Sequence, residues 1–365
     1  MQGGKMQGAW KGQRLFPICN SRVRHLPMRV TIKDVSRVAG VSIKTVSRVL
    51  NKERYVRADT RERVEAAVKT LKFSPSLAAR ALAGRRSFQI ALIYDNHSPF
   101  YIHQIQEGVW AQCREQGVRM LAQPADVASP TLAAEIGGLI DETHVDGVIL
   151  SSPVTDAPAV LVELERRGIP FVRISPGTNH ALTSSVFMDD VQAADDMTSH
   201  LINEGHKLIG FIVGHPNHMA SDQRLFGYRR ALDRAGVAFE PSLVQTGLFD
   251  FASGAAAAEA LLSLSEPPTA IFASNDDMAA GVLAVAHRRD IAVPEALSVA
   301  GFDDTELASA VWPPLTTIRQ PTRDLAYAAA ELLFSTEAGV IHRRLQHELI
   351  VRGSTGRART DTLHP

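Results

Sequence analysis

Residues 31–51 read TIKDVSRVAGVSIKTVSRVLN, two short apolar-periodic segments joined by Ala39-Gly40-Val41. The second segment puts Lys44, Ser47, Arg48 and Asn51 on one helical face and Val46, Val49 and Leu50 on the other. The apolar face suits a small core. The polar face carries hydrogen-bonding groups and cations with almost no acid. Thr31 followed by Asp34 predicts a capping-box start, Gly40 a left-handed helix end, and Ser42 a hydroxyl cap for the second helix. A third helix is expected from about Asp59 to Lys72, with Val64, Ala67, Val68 and Leu71 at helical spacing and Pro75 as its stop. Three short helices with a tight turn between the first two make a helix-turn-helix unit.

Net charge is zero over 365 residues, but the charges are segregated. Between Met28 and Arg86, 15 basic residues face 5 acids, an excess of ten, and residues 1–27 add 5 cations and no acid. The remainder therefore carries a net charge of −15. A basic head on an acidic body points to a polyanionic partner for the head alone. No apolar run approaches the roughly 18 residues of a membrane span, so no membrane partner is expected. The first 27 residues contain no signal-like apolar core. They read as a disordered extension, and Met28, just ahead of the first helix, is a candidate start. Cys19 and Cys113 cannot form a disulfide framework, and no Cys/His spacing suggests a metal site. A reduced cytoplasm, at the nucleoid, and no cofactor are the expectations.

After Ser87 the pattern changes. FQIALIY, GVRMLA, VDGVILSS, IPFVRIS, KLIGFIVG, TAIFASND and LSVAGFDD are apolar runs of strand length, separated by segments of helix length. Continuous apolar strands alternating with helices predict parallel sheets covered on both faces. Residues 88–355 are too many for one doubly wound sheet, so two sheets facing a cleft are expected. Ligands in such folds bind outside the carboxyl ends of strands. YDNHSPF, RISPG, GHPNHMASDQR, ASNDD and GFDD sit there. The expected organisation is an extension over 1–27, a helix-turn-helix domain over 28–74, a hinge over 75–87, a ligand-binding and dimerisation domain over 88–355, and a tail over 356–365. The fold class is α/β, an all-α head joined to a two-subdomain body with parallel sheets.

VTIKDVSRVAGVSIKTVSRVLN, TRERVEAAVKTLKFSPSLAARALAG, GYRRAL, AIFASNDDMAAG, VAGFDD and PPLTTIRQP together resemble the LacI/GalR family of bacterial transcriptional regulators. The resemblance spans about residues 29–355. It implies a DNA-binding head, a hinge helix ordered on operator DNA, and an effector domain like periplasmic sugar-binding proteins. It also implies a homodimer on palindromic double-stranded operator DNA. A polar tail in place of a leucine heptad favours the dimer over a tetramer. The expected function is that of a repressor released by a sugar or sugar acid. A corepressor-type regulator, whose ligand strengthens DNA binding, stands as the alternative. A transport protein would have no use for residues 29–86, and an enzyme would need a nucleophile–base pair that the sequence does not offer.

By this resemblance, Ile43 and Lys44 choose operator bases and Arg48 reaches a base edge, as a helix in the major groove allows. Thr45, Ser47 and Asn51 would meet phosphate or sugar, which position without specifying. Thr31, Ser42, Tyr55 and Arg57 complete the DNA-facing set. Arg57 stands where the family carries a serine or threonine cap. In the hinge, Ala79 would face its symmetry mate and Leu82 would wedge into the minor groove. The implied effector contacts are Asn96, Ser98, Phe100, Tyr101, Arg224, Phe249, Asn275, Asp303 and Gln320. Arg173 joins them as a departure. The strand ends in Ser175 where many members have an acid, so Arg173 is expected either to read an acidic sugar or to pair with an aspartate such as Asp95.

Overall fold

The structure is a computed structural model and describes residues 30–50, 53, 55–73, 86–96 and 98–359. The chain divides into two compact units, Met1–Ala79 and Arg80–Pro365.

In the first unit, α1 (Ile32–Ala39), α2 (Ile43–Leu50) and α3 (Ala58–Thr70) close over one small core of Val35, Ala39, Val46, Val49, Val64 and Ala67. Local chemistry sets the ends. Thr31 donates its backbone N–H and its hydroxyl to the Asp34 carboxylate, at 3.0 and 2.8 Å. Gly40 takes φ 63° to stop α1, a conformation without steric cost only for glycine. The Ser42 hydroxyl accepts the Thr45 N–H at 3.1 Å and opens α2. Arg57 precedes α3 and makes no side-chain cap, as its residue type dictates.

The second unit has two lobes. The first is a six-stranded parallel sheet of β1 (Gln89–Tyr94), β2 (Arg119–Pro124), β3 (Val148–Leu150), β4 (Phe171–Ile174), β5 (Ser185–Phe187) and β11 (His342–Arg344), in the order β11-β5-β4-β3-β1-β2. Its helices are α4 (Pro99–Gln116), α5 (Leu132–Thr143), α6 (Pro158–Arg167) and α12 (Thr322–Phe334). The second lobe is a four-stranded parallel sheet, β7-β6-β8-β9, from β6 (Ile209–Val213), β7 (Val244–Thr246), β8 (Ala270–Ala273) and β9 (Ser298–Ala300). Around it lie α7 (Asp190–Asn203), α8 (Met219–Ala235), α9 (Phe251–Leu261), α10 (Asp276–Arg288) and the short α11 (Glu306–Ala310). The central strands β1, β3, β6 and β8 are buried almost throughout, which explains their unbroken apolar runs.

The chain crosses between lobes after β5, after β10 (Thr317–Arg319), and between β11 and β12 (Glu348–Ile350). Two sheets were expected; the antiparallel pair β10–β12 is a third, at the crossovers. The chain also stays anchored beyond residue 355. Gly356 donates its N–H to Ser298 Oγ at 3.0 Å, and Ala358 donates its N–H to the Glu204 carbonyl at 2.8 Å.

Candidate functional site

Two surfaces qualify, one in each unit. On the head, Val46 and Val49 turn α2 inward, leaving Ile43, Lys44 and Arg48 exposed and Thr45 and Ser47 half-buried. Arg48 Nε lies 3.5 Å from Glu53 Oε2, and Arg61 donates to the Glu53 carbonyl at 2.9 Å, tying α3 to the end of α2. Tyr55 is 99% exposed and Arg57 is exposed. Two members of the expected DNA-facing set have local duties. Ser42 caps α2. Thr31 donates to Asp34, whose carboxyl is held below its usual range first by the Thr31 backbone N–H and then by its hydroxyl. Asn51, Ala79 and Leu82 lie outside the described residues.

In the second unit a cleft opens at the carboxyl ends of the strands. Eight of the expected effector contacts line it: Asn96, Ser98, Tyr101, Arg224, Phe249, Asn275, Asp303 and Gln320. Asn96 accepts the Ser98 N–H at 2.8 Å, and the Ser98 hydroxyl crosses to Asp277 Oδ2 at 2.8 Å, joining the start of α4 to the start of α10. Asn275 accepts the Met278 N–H at 3.0 Å as a helix cap and donates to the Phe249 carbonyl at 3.0 Å. The Phe249 ring lies over Gly214 so closely that a Cβ there would fall 2.0 Å from Cζ. Gln320 Nε2 donates to Asp303 Oδ1 at 2.5 Å.

Arg224 is the centre of this wall. Its Nε donates to Asp190 Oδ1 at 2.9 Å, Nη1 donates to the Ser274 carbonyl, and the guanidinium carbon sits 3.6 Å from the Phe302 ring centroid. Asp303 lies 4.0 Å from Nη1. Burial pushes the Asp303 carboxyl well above its usual range, and Arg224 only partly offsets this. Behind it, Asp276 is pushed up to about 7 by burial, despite accepting from Thr305 and Thr317. The Tyr101 hydroxyl is also raised, first by burial and then by the charges of Asp303 and Asp190.

Three cleft-lining residues without glycine's freedom sit at positive φ: Ser175 at 49°, Phe249 at 62° and Asp303 at 116°. Each such residue costs on the order of 1–3 kcal/mol and persists only where its surroundings impose it. They are three of the nine non-glycine residues at positive φ among the described residues, and the fold holds all three at the cleft wall.

Two expected contacts are corrected. Arg173 is 0% exposed and faces into the first lobe. Its guanidinium donates to the carbonyls of Thr155, Thr178 and Asn179 and to Asp156 Oδ1 at 2.7–2.9 Å. Its partner is therefore Asp156; Asp95 instead accepts the Val127 N–H at 2.8 Å. Two residues of separation from Ser175 on a strand place both on one side of the sheet. The left-handed turn at Ser175, however, folds the following loop back over the arginine. Phe100, half-buried in the first turn of α4, is likewise not part of the cleft lining.

Sequence reasoning missed Asp190, His218, Ser152, Gln223 and Ala220 in the cleft wall. Asp190 had one available signal, its position at a helix start after an apolar strand. Its pairing with a residue 34 positions away had none. His218 packs edge-on to Phe249, ring centroids 5.2 Å apart, and His215 stands 5.6 Å from His218. No group of three or more metal-type ligands occurs among the described residues. No helix among them is long and apolar enough to cross a membrane.

A helix-turn-helix head followed by a two-lobed domain with a ligand cleft defines an effector-responsive DNA-binding class. Residues 31–76 match the model for bacterial regulatory proteins of the lacI family, and residues 198–355 match a periplasmic binding protein-like domain. The chain is 33% identical to the transcriptional regulator DegA of Bacillus subtilis, over 90% of this chain and 98% of that protein. It is 34% identical to the ribose operon repressor of Escherichia coli K12, over 89% and 99%. Among solved structures it resembles a lac repressor dimer bound to operator and an anti-inducer (27% identity, 90% and 99% coverage, TM-score 0.77). It also resembles a CelR–cellobiose complex (32% identity, 89% and 100% coverage, TM-score 0.68). The chain belongs to the LacI family, and it is a DNA-binding transcriptional regulator.

Proposed function

We propose that the protein is a cytoplasmic, homodimeric repressor that leaves its palindromic operator when a sugar or sugar-derived effector enters the interlobe cleft. The observation that carries this reading is the pairing, in one chain, of an exposed cationic helix face with a cleft of preorganised hydrogen-bonding groups. Ile43, Lys44 and Arg48 read base edges. Thr45, Ser47, Tyr55 and Arg57 meet the phosphate backbone. In the cleft, Asn96, Ser98, Tyr101, Gln320 and Asp303 supply the polar contacts and Phe249 an apolar wall. The head spans 28–74 and the effector domain 88–355, joined through a hinge over 75–87. The protein binds its small ligand without converting it. The ribose operon repressor and the cellobiose complex among its relatives support a carbohydrate effector.

Because effector and operator act on one equilibrium, the effector binds the off-DNA form more tightly by the factor by which it lowers operator affinity. Gel-shift titrations on operators selected from random-sequence duplexes, with and without pentoses and hexoses, test the reading. Release on adding a sugar supports it. A sugar that tightens the complex would make the protein a corepressor-type regulator, and absence of any selected DNA would sink the proposal.

A further inference from the structure

Glu53 is the single acidic residue between Val35 and Ala58, a stretch that holds Arg37, Lys44, Arg48, Lys52, Arg54 and Arg57. Its backbone is tied on both sides. The N–H donates to the Arg48 carbonyl at 3.0 Å, and the carbonyl accepts from Arg61 at 2.9 Å. These bonds set Glu53 just past the end of α2, with its Oε2 3.5 Å from Arg48 Nε. Arg61 reaches only the backbone, so Arg48 is the one partner of the carboxylate among the described residues.

Stability does not account for an acid at this place. The carboxyl end of a helix carries partial negative charge, so a carboxylate there is disfavoured. An ion pair with both side chains about half exposed contributes little in return. The backbone bonds that close α2 and tie it to α3 need no side chain at all. Charge is where Glu53 counts. Its neighbours Arg48, Tyr55 and Arg57 are the residues read above as DNA contacts. For Arg48 to serve a duplex it must give up Glu53, and the carboxylate is then left facing phosphate.

We propose that Glu53 is a brake on operator binding, which acts by competing with DNA for Arg48. The proposal rests on the reading of Arg48 above and adds a means of regulation to the same surface. An effector lowers operator affinity by a limited factor, typically about 5–150-fold. A surplus of affinity several-fold in size would keep part of the repressor on its operator at saturating effector. The brake holds the affinity within the range that an effector can reverse.

Glu53→Gln in the full-length protein tests it, since glutamine keeps the length of the side chain and removes its charge. Fluorescence anisotropy would be read on the selected operator and on a random duplex over about 50–200 mM salt. The variant should bind both duplexes roughly three- to tenfold tighter near 100 mM, and its plot of log affinity against log salt should be steeper by about one. In an Arg48→Ala background the same change should gain clearly less, because no arginine is left to release. Equal gains with and without Arg48, or no gain, overturn the proposal. So does a loss confined to one base pair, which would make Glu53 a base contact. Arg48→Ala alone judges the base-edge reading: unchanged base preferences would take that role from Arg48, whatever the Glu53→Gln gain.

Discussion

The head and the cleft hold their arginines in opposite ways. On α2, Arg48 is exposed, 3.5 Å from an equally exposed Glu53, so its charge is free to exchange partners. Such surface pairs contribute little, about 0–1 kcal/mol, and salt screens them. In the body, Arg173 and Arg224 are buried and fixed by three or more interactions each. Removing one partner from a buried pair strands a charge and is strongly destabilising. The difference teaches how one chain serves two ligands. The head offers mobile charge to a polyanion, and the cleft offers fixed geometry to a small ligand.

The largest expected effect is on salt. Operator affinity should fall roughly a thousandfold or more between about 50 and 200 mM salt, as for proteins making several phosphate contacts. Effector affinity, carried by buried groups, should change by less than about twofold over the same range. Equal slopes in the two titrations would erase the contrast.

Next in size is Arg173→Met, which leaves Asp156 without its cation and three carbonyls without their donor. Urea denaturation should show a loss of about 3–5 kcal/mol, while the folded fraction keeps its effector affinity. A variant that folds normally but loses the ligand would return Arg173 to the cleft. Lys44→Ala should then cost about 1–3 kcal/mol on the preferred operator and relax preference at the bases it faces, without altering effector binding. Equal losses on specific and random DNA would make Lys44 a phosphate contact instead. The smallest effect belongs to Thr31→Ala, which removes a hydroxyl donor to Asp34 at the start of α1. It should lower the stability of the head by about 1 kcal/mol in thermal melts and leave the two-lobed domain unchanged. A shift in both units would show that they do not melt separately.

Most of the head was legible in the linear order of residues. Its caps, its glycine turn and the two faces of α2 are set by groups three to five positions apart, and the structure places them as the spacing predicts. The strand and helix alternation of the body was legible for the same reason, since a buried parallel strand must be apolar throughout. Less legible were β5, β7, β10, β11 and β12. Each is three residues long and, unlike the equally short β3 and β9, lies in no longer apolar run of the sequence, so none carries a pattern of its own.

The cleft divides along the same line. By itself the sequence, through its alternation alone, places Asn96, Ser98, Asn275 and Asp303 at the ends of strands, where a doubly wound fold gathers its ligand contacts, whereas Tyr101 and Phe249 entered only through the family resemblance. Only the tertiary structure decided what the two arginines do. Arg224 meets Asp190 across 34 residues, and Arg173 turns away because Asp156 and the loop over 178–179 reach it first. A guanidinium presents five donors and accepts whichever oxygens the packed fold brings within about 3 Å. That choice depends on distances in space, which the order of residues does not contain.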